Sequence, residues 1–233
     1  MTSDKPGRRS LLSRLGVTAA ALTVGARAAR AQAPAAQTPA ATAFQPARHP
    51  QDEWMNALPG KHRTVIDCAA ALSAGTGVFY ANNIFTANRN GYQLADGDVA
   101  VIVVLRHEAT VFAYNDTIWG KYSAPLAKMA RVTHPKTNQA PTVNPLGSPE
   151  FGSVMNNLGV TAPAIAKRGA HFAICDMATN RIAGVIASAV GSTQPVIYKE
   201  LAANLLPNGH LVAAGVVAIN RAQEFGYSML TAG

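Results

Sequence analysis

The sequence predicts an α/β protein: a three-layer αβα sandwich built on a mainly parallel sheet of about five strands. Short apolar runs rich in β-branched residues alternate with helical segments between residues 61 and 230. This alternation is typical of βαβ units with right-handed crossovers. The run at 98–105 (DVAVIVVL) is apolar almost throughout, as expected for a strand that helices cover on both faces. In such sheets, functional sites lie at the carboxyl ends of the strands.

Each predicted strand is a short apolar or β-branched segment of the kind that fits a buried sheet. The first follows a basic tripeptide, and the third ends in a cysteine. The predicted strands are residues 64–69, 98–105, 170–175, 210–214 and 227–230.

The predicted helices rest on apolar spacing and on terminal signals. We interpret Gly75-Thr76-Gly77 as a tight turn before a helix at 78–90, with Gly91 as its left-handed C-cap. Asn115 or Asp116 would cap the next helix. Residues 131–150 hold four prolines and predict a long loop. The remaining helical segments are parts of 115–130, 151–168 broken near Pro163, 179–189, 195–206 and 216–225.

Composition excludes several classes of protein. The chain has 233 residues, is 48% apolar and carries a formal net charge of +8, so a sizeable core is expected and whole-chain disorder is not. Two cysteines are too few for a disulfide scaffold or a four-cysteine zinc finger. Charged residues make up only 14%, and much of the positive charge lies near the amino terminus, so we predict no nucleic-acid partner.

The amino-terminal segment resembles an export signal. Residues 1–31 carry six basic residues and one acidic residue, and 8–12 (RRSLL) form a twin-arginine pattern before a weakly apolar run. We predict a twin-arginine signal peptide over 1–31, recognised by the twin-arginine translocase, and a periplasmic location. A disordered basic tail or an uncleaved anchor is the alternative. We interpret 32–49 as a disordered Ala/Pro-rich linker and 50–233 as the folded domain, without a stable membrane span.

Two stretches carry a resemblance to a known family. They are residues 168–175 (RGAHFAIC), and 206–216 (LPNGHLVAAGV) running into 221–227 (RAQEFGY). In these the chain resembles the DsrE/DsrF-like proteins of sulfur metabolism. The resemblance implies an α/β fold related to flavodoxin-like sheets and a homo-oligomer, either a trimer or a hexamer. It also implies a persulfide on a strand-end cysteine, a position that only Cys175 matches. Members active in sulfur relay are cytoplasmic, and this chain departs from them in its predicted export.

Cys175 and His107 are the candidate catalytic residues. Cys175 is the last residue of its predicted strand and His107 closely follows another, so both should lie at the same sheet edge. The next helix N-terminus would favour the Cys175 thiolate, whereas Asp176 would oppose it. A buried core cysteine is the alternative for Cys175, and a loop histidine with local hydrogen bonds is the alternative for His107. Cys68 is interpreted as a core cysteine, or as a disulfide partner of Cys175 if strands one and three are neighbours.

Two functions remain open at this point. The first is a periplasmic sulfur carrier in which Cys175 forms a persulfide, His107 tunes it, and a protein donates or accepts the sulfur. The second is a non-catalytic oligomeric module that binds a small ligand or a metal in a strand-end pocket lined by His107, Trp119 and Cys175. We predict no cofactor, because no dinucleotide fingerprint or P-loop is present.

Overall fold

The structure, a computed structural model, describes residues 44–233. The predicted signal peptide (1–31) and most of the predicted linker lie outside the described residues. The described part contains a single five-stranded sheet. Its strands are β1 (His62–Cys68), β2 (Val99–Leu105), β3 (His171–Cys175), β4 (Gly209–Val212) and β5 (Ser228–Thr231).

The sheet is entirely parallel, and its strand order is β4-β3-β2-β1-β5. This confirms the predicted fold class. The condition for a disulfide between Cys68 and Cys175, that strands one and three are neighbours, is not met, because β2 lies between them. Cys68 is opposite Leu105, which in turn is opposite Ile174. Two strand spacings, about 10 Å in total, therefore separate β1 from β3. Cys68 and Cys175 are accordingly free thiols.

Helices cover both faces of the sheet. One face packs its alternate strand residues, such as Ile66 and Val103, against the apolar side chains of α2 and α6. The other face packs Val65 and Val104 against α1 and α8. The helices are α1 (Glu53–Ala57), α2 (Ala71–Tyr92), α3 (Asp116–Lys121), α4 (Ser123–Ala130), α5 (Ala162–Lys167), α6 (Asp176–Val190), α7 (Gln194–Ala202) and α8 (Gly215–Glu224).

The connections create a crevice at one place along the sheet. From β1 to β4 the chain steps in one direction, and the helices between these strands pack on one face. After β4 the chain returns to the opposite edge through α8, which packs on the other face. The chain therefore leaves the carboxyl ends of β3 and β4 toward opposite faces. In open α/β sheets such a switch point forms the ligand-binding crevice.

The predicted Gly75-Thr76-Gly77 turn is instead part of a helix. Helix α2 begins at Ala71 and continues through all three residues. A Cβ atom at Gly75 would overlap the carbonyl oxygen of Met155, and one at Gly77 would overlap the Cys68 sulfur. Both glycines therefore serve close packing of the helix. The predicted C-cap also differs, since Gln93 and not Gly91 takes the left-handed conformation, with φ of 57°.

The predicted helix over 151–168 is largely absent. Only α5 is helical, with Pro163 in its first turn, where proline leaves no hydrogen bond unmade. The Thr161 hydroxyl caps it by accepting a hydrogen bond from the Ala164 amide (3.3 Å). The preceding segment turns irregularly, with Asn156 and Leu158 at positive φ. The proline-rich loop over 131–150 is confirmed, apart from a single 3-10 turn that begins at Pro149.

The predicted helix over 195–206 ends early, at Ala202. The residues beyond it return to the segment that follows β2. The backbone N–H of Leu206 donates to the carbonyl oxygen of Ala113 (2.8 Å), and the backbone N–H of Asn115 donates to that of Asn204 (2.9 Å). These long-range hydrogen bonds replace the helical ones that a longer α7 would make.

A stack of three aromatic rings lies near the amino edge of β3 and β4. The Trp54 ring is parallel to that of His210 at 3.9 Å between centroids. His171 Nδ1 and His210 Nε2 are 2.9 Å apart and share one hydrogen bond. Burial and, to a lesser extent, the neighbouring His171 together lower the pKa of His210 to about 4. The stack is therefore built from neutral imidazoles.

We expect this stack to make stability fall in mild acid. The unfolded chain binds a proton at His210 near pH 6.5, whereas the folded chain does so only near pH 4. The contribution of His210 to the free energy of unfolding should therefore be constant above pH 7 and decline from pH 6.5 to 4. Because the ring is only half-buried, we expect the His210 contribution to be about 1–2 kcal/mol. Urea denaturation at a series of pH values measures it.

A His210→Gln variant provides the control for this pH dependence, since glutamine does not titrate. The difference between the native and variant stabilities should shrink as the pH falls through the same window. A difference that is independent of pH between 7 and 4 would contradict this origin of the acid sensitivity.

Candidate functional site

A cleft of about 300 Å³ lies at the carboxyl ends of the strands, where the chain switches faces. Residues that follow β2, β3 and β4 form its walls. The structure brings the two predicted site residues, Cys175 and His107, together in this cleft. The lining residues that matter here are Arg106, His107, Cys175, Met177, Arg181 and Gly215.

Cys175 ends β3 and is the N-cap residue of α6. Its side chain is 7% exposed and packs against Ala178 and Ala214. The backbone at this point is firmly held, because Thr179 donates from its hydroxyl to the carbonyl oxygen of Cys175 (3.0 Å). The buried Tyr114 hydroxyl in turn donates to that of Thr179 (3.1 Å). Cys175 is therefore a largely buried residue with a fixed backbone in the wall of the cleft.

The carboxylate of Asp176 points to a different part of the molecule. It accepts hydrogen bonds from the Tyr198 hydroxyl (2.7 Å) on α7 and from the Asn180 side chain (3.2 Å). The hydrogen bond to the carboxylate raises the pKa of Tyr198. Asp176 is not among the residues that line the cleft. The Asp176 carboxylate therefore links α6 to α7 through a hydrogen bond, although Asp176 is adjacent to Cys175 in sequence.

Arg106 is held in place from two sides. Its guanidinium donates two hydrogen bonds to the Asp67 carboxylate at the end of β1, at 2.7 and 2.8 Å. These hydrogen bonds raise the pKa of Arg106. On the other side, a Cβ atom at Gly215 would overlap the Arg106 side chain. The close packing and the bidentate pair fix a permanent positive charge beside the cleft.

His107 directly follows Arg106 and has a left-handed backbone, with φ of 53°. This conformation is uncommon for residues other than glycine, and here it turns the chain from β2 into a 3-10 segment over His107–Ala113. The side chain is exposed. It lines both the cleft and a larger neighbouring groove. His107 is thus available to solvent and to any ligand in either space.

The electrostatics of the cleft favour anions. Helices α6 and α8 both begin at its walls, and the side chain of neither N-cap residue, Cys175 or Ala214, accepts a hydrogen bond from the first amide groups of its helix. Their first amide groups carry partial positive charge. Arg181 adds a full positive charge, and Arg106 adds one that its ion pair with Asp67 partly neutralises. None of the described residues that line the cleft is acidic.

Sequence reasoning missed Arg106, Asp67 and Arg181. The sequence does mark Arg106 and Asp67 as candidate site residues, because each is a charged residue at the carboxyl end of an otherwise apolar strand. Arg181 gave no such signal, since an exposed arginine on a helix is an ordinary surface residue.

Trp119 does not belong to the site, contrary to the sequence-based expectation. Its side chain is fully buried in the core, where its ring stacks on Phe112 at 5.8 Å between centroids. Its neighbours in sequence are structural too, since Lys121 and Tyr122 both bind Glu200 at 2.6 Å. Cys68 is a core cysteine as interpreted, fully buried beside Gly77, and burial raises the pKa of its thiol.

Cys175 and His107 do not form part of a multi-ligand metal site. Within residues 44–233, no group of three or more histidine, cysteine or acidic side chains is arranged to hold a metal ion.

In comparisons with known proteins, the chain matches no family model, no curated protein and no solved structure. The resemblance to the DsrE/DsrF-like proteins stays a prediction. None of the helices described is long and apolar enough to cross a membrane.

Proposed function

We propose that this protein is a periplasmic, DsrE/DsrF-like carrier of sulfane sulfur, held as a persulfide on Cys175. The observation that supports it best is the position of the Cys175 thiol. It lies at the switch-point crevice, in an open cleft with two arginines and no acidic residue among the described residues that line it. Cys175 is 7% exposed and lines the cleft, whereas Cys68 is fully buried, so Cys175 is the more accessible of the two thiols.

The transfer is a displacement at sulfur. The Cys175 thiolate attacks the outer sulfur of an anionic sulfane donor, for which thiosulfate is the simplest example. A bond forms between the two sulfur atoms, the bond from the outer sulfur to the sulfonate breaks, and the electron pair leaves with sulfite. An acceptor thiolate then attacks the outer sulfur of the persulfide, and Cys175 departs as a thiolate.

The residues around Cys175 have separate roles in this proposal. Arg106 and Arg181 bind the oxyanion of the donor and stabilise the charge on the departing sulfite. The amide groups that begin α6 and α8 contribute to the same field. His107, which is exposed beside the cleft, receives the thiol proton before attack.

A homo-oligomer is part of the same proposal. Three large apolar side chains are exposed beside the cleft or directly after one of its lining residues: Met177 is 70% exposed, Val216 57% and Val217 40%. Covering them with a second copy of the chain would remove apolar area from water and would place the interface next to Cys175.

Mass analysis of the intact protein tests the carrier function. After incubation with thiosulfate, we expect a mass increase of one sulfur atom that a thiol reductant removes. Cys175→Ser should abolish the increase, whereas Cys68→Ala, which removes the other thiol, should retain it. Alkylation of the folded protein with iodoacetamide should modify Cys175 and leave the buried Cys68 unmodified.

An adduct that persists in Cys175→Ser would contradict the proposal. So would the absence of any adduct with thiosulfate and with an organic persulfide donor. If Cys175→Ser still binds thiosulfate in calorimetry while no adduct forms on the native protein, the non-catalytic binding module is the better description of this fold.

A further inference from the structure

A groove of about 1120 Å³ adjoins the Cys175 cleft. Residues of α4 and α6 form its walls, and the 3-10 segment over His107–Ala113 contributes Val111. His107 and Arg181 line both the groove and the cleft. The groove is therefore an extension of the same site, several times larger than an inorganic sulfur anion requires.

The walls of the groove are largely apolar. Val111, Met129, Val185 and Val190 line it. Two of these side chains are well exposed, Val185 at 40% and Val190 at 47%. A concave surface with exposed apolar side chains gains free energy when an apolar ligand displaces water from it.

The groove also carries positive charge that the protein does not neutralise. Lys121 and Arg131 line it but pair with Glu200 (2.6 Å) and Glu108 (3.6 Å). Within residues 44–233, Lys128 on α4 and Arg181 on α6 form no ion pair. The two cations therefore come from two different helices that line the same groove.

We propose that the groove binds an amphiphilic organic anion: an aliphatic chain that carries a carboxylate or sulfonate. The chain lies on the apolar wall of Val185 and Val190, and the head group binds Lys128 and Arg181. Neither an inorganic anion nor an uncharged apolar molecule would use both features. The volume matches a small organic ligand better than a folded partner. The site shares Arg181 with the Cys175 cleft but does not use the Cys175 thiol.

Calorimetric titration of the full chain with decanoate tests the proposal. Decyltrimethylammonium has the same chain length and a positive head group, and we expect it to bind at least about tenfold more weakly. Lys128→Glu should weaken decanoate binding by about tenfold or more, which corresponds to loss of one charge-assisted contact. Val185→Asn should weaken both ligands, because it acts on the apolar wall.

Two variants act as controls. Lys167→Glu makes the same charge change at an exposed position on α5 outside the groove and should bind decanoate normally. Cys175→Ser should also bind it normally, which separates this site from the sulfur-carrier function. The proposal is overturned if decanoate does not bind, if the two head groups bind equally, or if Lys167→Glu weakens binding as much as Lys128→Glu does.

Discussion

Gly75→Ala is expected to destabilise the protein severely, by about 3 kcal/mol or more. Gly75 lies in the buried part of α2, and an added Cβ atom would overlap the carbonyl oxygen of Met155. A flexible side chain could rotate away, but this neighbour is backbone. Either α2 or the irregular segment that contains Met155 must move, and both are part of the core. Urea denaturation of the purified variant measures the loss.

Gly91→Ala in the same helix is the matched control. A Cβ atom at Gly91 would meet no atom within 4 Å. Alanine stabilises helices relative to glycine, so this variant should gain about 0.5–1 kcal/mol. Equal stabilities of Gly75→Ala and Gly91→Ala would show that the close approach of Met155 does not restrict Gly75.

The same position shows where sequence reasoning about the fold reaches its limit. Glycine is a poor helix former, and two glycines separated by one residue suggested a turn at 75–77. The reason for the glycines is contact with Met155 and Cys68, which no local pattern reveals. The strands were predictable because a buried parallel strand is marked by its own residues, as at 99–105. Their order was not, because it depends on which distant segments pair.

The candidate site was predictable to the same extent. Cys175 and His107 could be placed at one sheet edge because all strands of a parallel sheet end there. Arg106 was missed because its partner, Asp67, is 39 residues away in sequence. Trp119 was misplaced because a short helix such as α3 does not show in its sequence which face packs inward. Position along the chain was therefore predictable, whereas side-chain partners were not.

Asp67→Asn is expected both to destabilise the protein and to slow persulfide formation. The Asp67 side chain is only 10% exposed and that of Arg106 is 26% exposed. Loss of the carboxylate leaves a partly buried guanidinium without its counter-charge, which should cost about 2–3 kcal/mol. It also releases Arg106 from its fixed position, so we expect persulfide formation with thiosulfate to slow by about tenfold.

Asp96→Asn separates the two effects, because it breaks an ion pair of similar geometry elsewhere. Asp96 accepts hydrogen bonds from Arg168 at 2.9 and 3.0 Å and pairs with Arg89 at 2.8 Å. It lies in the 3-10 turn before β2 (Asp96–Asp98), near the amino edge of the sheet and far along the strand from the cleft. We expect a comparable loss of stability with an unchanged rate of persulfide formation, both measured on the same preparations. If the two variants slow the reaction equally, the effect comes from general loosening of the fold, and Arg106 has no role in binding the donor.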